Sequence, residues 1–190
     1  MKIKFLIVLL GLMAVQSSTA QIKMRDVFRQ MPDTLLPYLT ANNRLDFIDF
    51  IDSDMKASVK NSLDGSSEMT RLTDNYLSLR LSEGSSVDMR LLDVTESSDS
   101  VKQVICVVNT YGTDVRESTI MFYTTGWQLL PVERFINIST DGIVMTLGQD
   151  EPTLALIHEY RLDAPTNEDQ KEFPKSSIIL KWNGLMFNKY

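Results

Sequence analysis

A change in the spacing of apolar residues divides this chain into two parts and limits the folds open to it. In residues 24–31, apolar side chains recur every three or four positions, which is the spacing of one helix face. From Glu68 onward, apolar and polar residues alternate, as they do in a half-buried β-strand. We therefore predict an α+β domain in which residues 24–63 are helical and residues 68–190 are rich in strands.

Two helices and one turn are predicted in the helical part. The first helix occupies residues 24–31 and ends before Pro32, because proline disfavours the α conformation in the residue that precedes it. Residues 34–39 are apolar but contain a second proline, which limits them to a single turn. Thr40 or Asn42 then caps the second helix. Its inner side is predicted to carry Leu45, Phe47, Ile48 and Ile51.

The strand-rich part predicts a mainly antiparallel β-sheet on which the N-terminal helices pack. Residues 77–81 and 87–91 alternate on either side of a short polar loop, which predicts a hairpin. Residues 104–108 are apolar throughout, which predicts a central strand covered on both faces. No later segment has the pattern of a crossover helix, so we expect neighbouring strands to run antiparallel.

Two further features concern the second half of this sheet. Residues 118–126 align with residues 176–184, and an apolar strand precedes each segment. This similarity fits an internal duplication and an ordinary β-meander equally well. The Asn-Gly pair at 183–184 predicts a two-residue type I′ turn that places Trp182 opposite Leu185.

Residues 1–20 have the pattern of a cleaved signal peptide. Two lysines precede an apolar segment, residues 5–15, that is too short to span a bilayer. Small residues at Ser18 and Ala20 complete a cleavage site, so the mature chain is predicted to begin at Gln21. No cysteine follows this site, which argues against a lipoprotein. We predict a soluble, exported protein that is periplasmic or secreted.

The mature chain, residues 21–190, is long enough to form a single domain with its own core. Removing the two N-terminal lysines changes the formal net charge from −6 to −8. This acidic balance argues against nucleic acid and anionic lipid as partners, since both are bound mainly through Lys and Arg. Cys106 is the only cysteine, and its apolar neighbours predict a buried thiol that forms no disulfide.

A set of short segments along the mature chain resembles a known family. These segments are Met31-Pro32-Asp33, Leu35-Leu36-Pro37, Leu39-Thr40, Asn43-Arg44, Asp46, Ile48-Asp49-Phe50, Ser118, Ile120, Phe122-Tyr123 and Trp127. The family is an uncharacterised one, a domain of unknown function, of exported proteins from Bacteroidales-type gut bacteria. The resemblance implies an α+β domain in a Gram-negative envelope. It implies no activity and no functional residue, because the family has no established activity.

Two sets of residues bear on catalysis and metal binding. His158, the only histidine, alternates with apolar neighbours, which favours a structural role over that of a general base. Asp46, Asp49 and Asp52 recur every three residues, as on the solvated flank of a helix. Residues 52–57 lack the third ligand and the glycine of an EF-hand loop. We therefore predict no catalytic, cofactor-binding or metal-binding residue.

Two weaker patterns stay open. Thr34 and Ser100 each lie in an Asp-Ser/Thr-aliphatic pattern that gut bacteria of this type O-glycosylate in the periplasm, although such matches also arise by chance. Aromatic residues of the strand-rich part could line a sugar- or peptide-binding surface, but cross-strand pairing is the commoner explanation. These aromatic residues are Tyr123, Trp127, Tyr160, Trp182 and Phe187.

Together these features predict an exported, non-catalytic module that binds a protein or small ligand in the cell envelope. One alternative is a periplasmic carrier that holds a hydrophobic ligand in an apolar groove between helices and sheet. The other is a hydrolase with an unrecognised site. A large apolar pocket would favour the carrier, and convergent polar groups with shifted pKa values would favour the enzyme.

Overall fold

The computed structural model describes residues 21–95, 102–138, 142–158 and 177–189, except for the side chain of His158. The predicted signal peptide, the glycosylation pattern around Ser100, the role of the His158 side chain and the aromatic ring of Tyr160 therefore lie outside the described residues.

Two short helices and one helical turn form the N-terminal part. They are α1 (Met24–Arg29), a 3₁₀ turn (Asp33–Leu35) and α2 (Ala41–Asp52). Thr40 caps α2, because its side chain accepts a hydrogen bond from the backbone N–H of Asn43 at 3.2 Å. The Asn43 side chain bonds back to the Thr40 N–H at 3.0 Å and completes a capping box.

The prediction for the inner side of α2 is wrong at one position. Leu45 is exposed at 40% of its surface, whereas Phe47 and Ile48 are buried and Ile51 is half-buried. Arg44 is buried instead of Leu45, and its guanidinium donates to the Leu39 carbonyl at 3.3 Å. The spacing of apolar residues could not predict the burial of Arg44, because such a pattern assigns charged residues to the solvent side of a helix.

Seven antiparallel strands form the larger sheet, in sequence order from one edge to the other. They are β1 (Ser58–Lys60), β2 (Ser66–Leu72), β3 (Tyr76–Ser82), β4 (Ser85–Asp93), β5 (Gln103–Tyr111), β6 (Glu117–Thr124) and β7 (Leu129–Leu130). The predicted β3–β4 hairpin is confirmed, as is the burial of the central strand β5 on both faces. Strand β1 lies inside the range predicted to be helical, since three residues are too few to show alternation.

Four further strands form a second antiparallel sheet, in the order β11-β10-β9-β8. They are β8 (Ile143–Leu147), β9 (Thr153–His158), β10 (Ser177–Trp182) and β11 (Phe187–Lys189). The antiparallel prediction is confirmed, but the structure has two sheets where the sequence predicted one. The two similar sequence units fall in different sheets, as β5–β7 and β9–β11. None of the described helices is long and apolar enough to cross a membrane.

Two clusters of buried apolar side chains lie on opposite faces of the larger sheet. One contains residues of α1 and α2 together with inward residues of β3, β4 and β5, such as Leu79 and Val107. The other contains residues of both sheets, including Phe122 and Leu156. Alternation along each central strand assigns successive side chains to these two clusters in turn.

The prediction of a two-residue turn at 183–184 is wrong. The β10–β11 loop has four residues, and Trp182 pairs with Phe187 rather than with Leu185. The Asn183 side chain accepts hydrogen bonds from the backbone N–H groups of Leu185 and Met186, both at 2.9 Å. Only the glycine of the pair has positive φ, at 96°. Side-chain capping by asparagine therefore replaces the type I′ geometry.

Candidate binding site

A groove opens on the helix side of the larger sheet, where the segment between α1 and α2 meets strands β5 and β6. Its volume is about 250 Å³. One wall comes from that segment, the floor from β3 and β5, and the far wall from β6. The lining residues are Met31, Thr34, Leu35, Leu36, Pro37, Tyr38, Leu81, Val107, Asn109, Tyr111, Met121 and Tyr123. No lining side chain among the described residues carries a charge.

Arg44 holds the first wall in place. Its guanidinium bonds the Asp33 carboxylate at 2.7 Å and the Leu39 carbonyl at 3.3 Å, at the two ends of the wall segment. Ser62, in the β1–β2 loop, donates its backbone N–H to the Tyr38 carbonyl at 3.1 Å. Leu36 and Leu39 are buried in the cluster beneath. These contacts within the protein fix the wall against the sheet.

Three tyrosines surround the opening. Tyr111 is exposed at 50% of its surface, and Tyr38 is also exposed at the rim. Tyr123 is buried, and its hydroxyl donates to the sulfur of Met121 at 3.2 Å. Its ring centre lies 5.5 Å from that of Trp127. Burial raises the pKa of Tyr123 from its ordinary value, so this phenol stays neutral at physiological pH.

Asn109 is the one amide side chain among the described lining residues. It lies on β5, only 7% of its surface is exposed, and its apolar neighbours along the strand include Val107. Within the described part of the chain, the structure gives its carboxamide no hydrogen-bond partner. Its amide atoms still reach solvent, so they are available to a ligand, and a ligand that fills the groove has to replace their contact with water.

A cluster of ionisable groups lies between the two sheets. Burial raises the pKa of Asp88, against hydrogen bonds from the Ser78 and Tyr76 hydroxyls, and it also raises the pKa of the Cys106 thiol. Arg90 is buried to 2% exposure, and its guanidinium donates to the carbonyls of Gly148 at 2.6 Å and Asp150 at 3.1 Å.

These shifted pKa values arise from packing within the core. Tyr76 and Cys106 are as fully buried as Arg90, so a substrate cannot reach them. Arg90 holds the β8–β9 turn through that turn's carbonyl groups. The buried members of the cluster are therefore structural, and the burial predicted for Cys106 is confirmed.

A second groove, of about 280 Å³, is polar and lies beside the β3–β4 turn. Hydroxyl groups dominate its lining, together with Arg80 and Arg116. Arg80 forms an ion pair with Glu68 on the neighbouring strand. The charge of Arg116 favours the ionised form of Asp88 and so opposes the rise in its pKa. Both arginines are thus engaged with acidic groups of the protein, which makes this groove the weaker candidate.

The other candidate residues from the sequence lie in different parts of the structure. Asp46, Asp49 and Asp52 are exposed on α2, and Asp52 pairs with Arg25 of α1 at 2.8 Å. In the described ranges, no group of three or more His, Cys, Asp or Glu residues could hold a metal ion. Thr34 lies on the groove wall.

Most of the aromatic residues considered are structural. Trp182 donates its indole N–H to the Asp93 carbonyl at 2.7 Å and packs on Phe187 with ring centres 5.3 Å apart. Trp127 donates to the Val27 carbonyl at 3.0 Å. The sequence analysis missed Tyr38, Tyr111 and Asn109. The sequence carries one signal for Asn109, because this polar residue directly follows the apolar run at residues 104–108 in the same strand.

Comparison with known proteins places the chain in a family. Residues 15–166 match the family described as "Protein of unknown function (DUF3256)". The chain belongs to this family. Its fold is similar to that of a solved domain of an uncharacterized protein from Porphyromonas gingivalis W83, with a TM-score of 0.67 and 22% sequence identity. The match covers 87% of this chain and 96% of that chain, and at this identity it shows a shared fold alone. No curated protein matches the chain.

Proposed function

We propose that this protein is an exported, non-catalytic binding module whose groove holds one uncharged, mainly apolar group of a partner. The observation that carries this proposal is the lining itself. In a chain with 23% charged residues, the groove collects apolar and tyrosine side chains and no charge. Tyrosines at a rim supply large contact areas at low conformational cost, as they do at many protein interfaces.

The size of the groove favours this function over a lipid carrier. Its 250 Å³ lies below the roughly 300–1,000 Å³ of pockets that enclose drug-sized ligands. A groove of this size accommodates a single large side chain. A long acyl chain would extend well beyond the groove and expose its methylene groups to water.

The arrangement of polar groups favours binding over hydrolysis. Among the described lining residues, Asn109 is the only amide, no carboxylate, lysine, arginine or histidine accompanies it, and the tyrosines are neutral phenols. General acid–base chemistry needs a titratable group within hydrogen-bond reach of the reacting atom. Of the groups with shifted pKa values, Arg90 is buried between the sheets, and the half-buried Asp88 bonds Ser78 of the second, polar groove, so neither lines this groove.

Small apolar probes test the proposed site directly. Toluene and isoamyl alcohol, which mimic the side chains of Phe and Leu, are titrated into ¹⁵N-labelled protein and followed by NMR. We expect the amide signals of Val107, Met121 and neighbouring residues to shift together with each probe. Thr34→Trp should fill the groove and abolish these shifts. Tyr111→Ala should weaken binding by about tenfold, because it removes one aromatic wall.

Ile179→Ala is the matched control for this experiment. Ile179 is exposed at 56% of its surface on β10 of the second sheet, outside the groove, so its removal should leave probe binding unchanged. Shifts scattered over the whole surface, or equal binding to the Thr34→Trp variant, would show that the groove is not a binding site.

The exported location rests on the N-terminal sequence. The two lysines before residue 5, the apolar segment and the small residues at Ser18 and Ala20 support recognition by the secretion machinery. The acidic balance of the mature chain is consistent with an envelope protein. The cell envelope would then supply the partner that occupies the groove.

We expect the protein purified from its native cells to begin at Gln21 or at its cyclised form. Signal peptidase cleaves after small residues at the −3 and −1 positions, and Ser18 and Ala20 occupy them. Intact mass spectrometry of fractionated cells measures this end directly. A protein that keeps residues 1–20 in the cytoplasmic fraction would contradict the proposed location.

A further inference from the structure

We infer that the occupant of the groove is a polypeptide segment of a partner protein, which inserts an apolar side chain and bonds one of its peptide groups to Asn109. This inference rests on the proposed binding function and assigns the chemistry of the ligand. Its basis is Asn109, a residue with only 7% of its surface exposed, whose carboxamide lines the groove and has no hydrogen-bond partner within the described residues.

The carboxamide offers both a donor and an acceptor. A primary amide has two N–H donors and one carbonyl acceptor, and a peptide group presents the complementary N–H and C=O pair. A ligand that filled the groove without such a group would remove water from Asn109 and leave it unpaired. The groove therefore selects against ligands that are purely hydrocarbon, and a peptide group meets its hydrogen-bonding requirement.

The rest of the lining favours a peptide over a sugar. A hexose carries several hydroxyl groups, each of which needs a partner when it is buried. The Tyr123 hydroxyl is already bonded to Met121, and the floor formed by Leu81 and Val107 is apolar. An apolar side chain of a peptide would contact the apolar, uncharged lining, and the adjacent peptide group would pair with the single amide.

A paired-probe experiment isolates the contribution of the Asn109 amide. One probe is the capped tripeptide acetyl-Ala-Leu-Ala-amide, and the other is the same molecule with an ester in place of the amide N–H of the leucine. Both are titrated into ¹⁵N-labelled protein, and the side-chain NH₂ signals of Asn109 are followed by NMR. We expect these signals to shift with the peptide, which should bind about tenfold more tightly than the ester.

Asn109→Leu removes the amide and keeps a similar side-chain volume. In this variant the peptide and the ester should bind equally well, because the group that distinguishes them is gone. Asn43→Leu is unsuitable as a control because it breaks the α2 cap, so Asn42→Leu, at an exposed amide on the first turn of α2, provides the control. It should retain the full preference for the peptide.

The outcomes separate this inference from the proposed function. If both probes shift the groove signals equally in the natural protein, the groove binds apolar groups but Asn109 does not select a peptide, and the inference fails alone. If N-acetylglucosamine binds at the same signals more tightly than the tripeptide, the assignment to a polypeptide is wrong. If no probe shifts the groove signals, the binding function itself is wrong.

Discussion

Replacing Arg90 by alanine is expected to lower the free energy of unfolding by about 3–5 kcal/mol. The guanidinium is buried and donates to the carbonyls of Gly148 and Asp150. Its removal leaves these carbonyls without the donor and opens a cavity between the sheets. Urea unfolding followed by circular dichroism measures the change. A loss below about 1 kcal/mol would show that the β8–β9 turn does not depend on Arg90.

Arg71 provides a matched control, since it bonds the same residue from the surface. It donates to the Asp150 carboxylate at 2.7 Å, and its side chain is exposed at 40%. Arg71→Met should change the free energy of unfolding by no more than about 1 kcal/mol, because exposed ion pairs contribute little. Arg90→Met fills most of the cavity but forms no hydrogen bond with the carbonyl groups. Its loss of stability should lie between those of Arg90→Ala and Arg71→Met, and its difference from Arg90→Ala measures the contribution of the cavity.

Replacing Trp127 by alanine is expected to cost about 3–5 kcal/mol, and thus to lower the melting temperature by about 10 °C. The indole N–H donates to the Val27 carbonyl on α1 at 3.0 Å, and the ring packs beside Tyr123 on β6. This one side chain therefore connects the N-terminal helix to the sheet. Differential scanning calorimetry of the variant and the natural protein measures the difference.

Trp127→Phe distinguishes ring packing from the hydrogen bond. Phenylalanine keeps most of the apolar contact but cannot donate to Val27, so this variant should lose about 1 kcal/mol. Hydrogen exchange then reports on α1, whose amides should exchange faster in the alanine variant while those of β5 stay protected. Equal exchange in α1 with and without the indole would show that the helix is held by its other contacts.

The sequence alone determined the local features that depend on neighbouring residues. Apolar spacing predicted α1, and Thr40 was one of two residues expected to cap α2. Alternation and a turn at the right distance predicted the β3–β4 hairpin, and the unbroken apolar run at 104–108 predicted a strand buried on both faces. The helix and the hairpin depend on contacts between residues close in the chain, which the sequence displays directly, and the apolar run shows that both faces of β5 need cover without showing what covers them.

Asparagine at 183 marks the limit of local reasoning. The Asn-Gly pair correctly indicated a turn, but not its length. Two loop geometries are open to an Asn-Gly pair. In one, the asparagine side chain accepts hydrogen bonds from the backbone that follows; in the other, both residues adopt positive φ in a type I′ turn. The sequence allows either. In the structure, the Asn183 side chain binds two backbone N–H groups and extends the loop to four residues.

Only the tertiary structure decided how the strands divide into two sheets and where a binding groove opens. Strand pairing depends on partners far apart in sequence, so a pattern of alternation fits one sheet or two. The groove forms because residues 31–38 stop short of covering β5 and β6, which leaves Asn109 and Tyr111 beside an open apolar surface. Arg44 and Asn109 are polar residues among apolar ones. Only the tertiary structure shows that Arg44 bonds Asp33 and Leu39 and that Asn109 has no hydrogen-bond partner among the described residues.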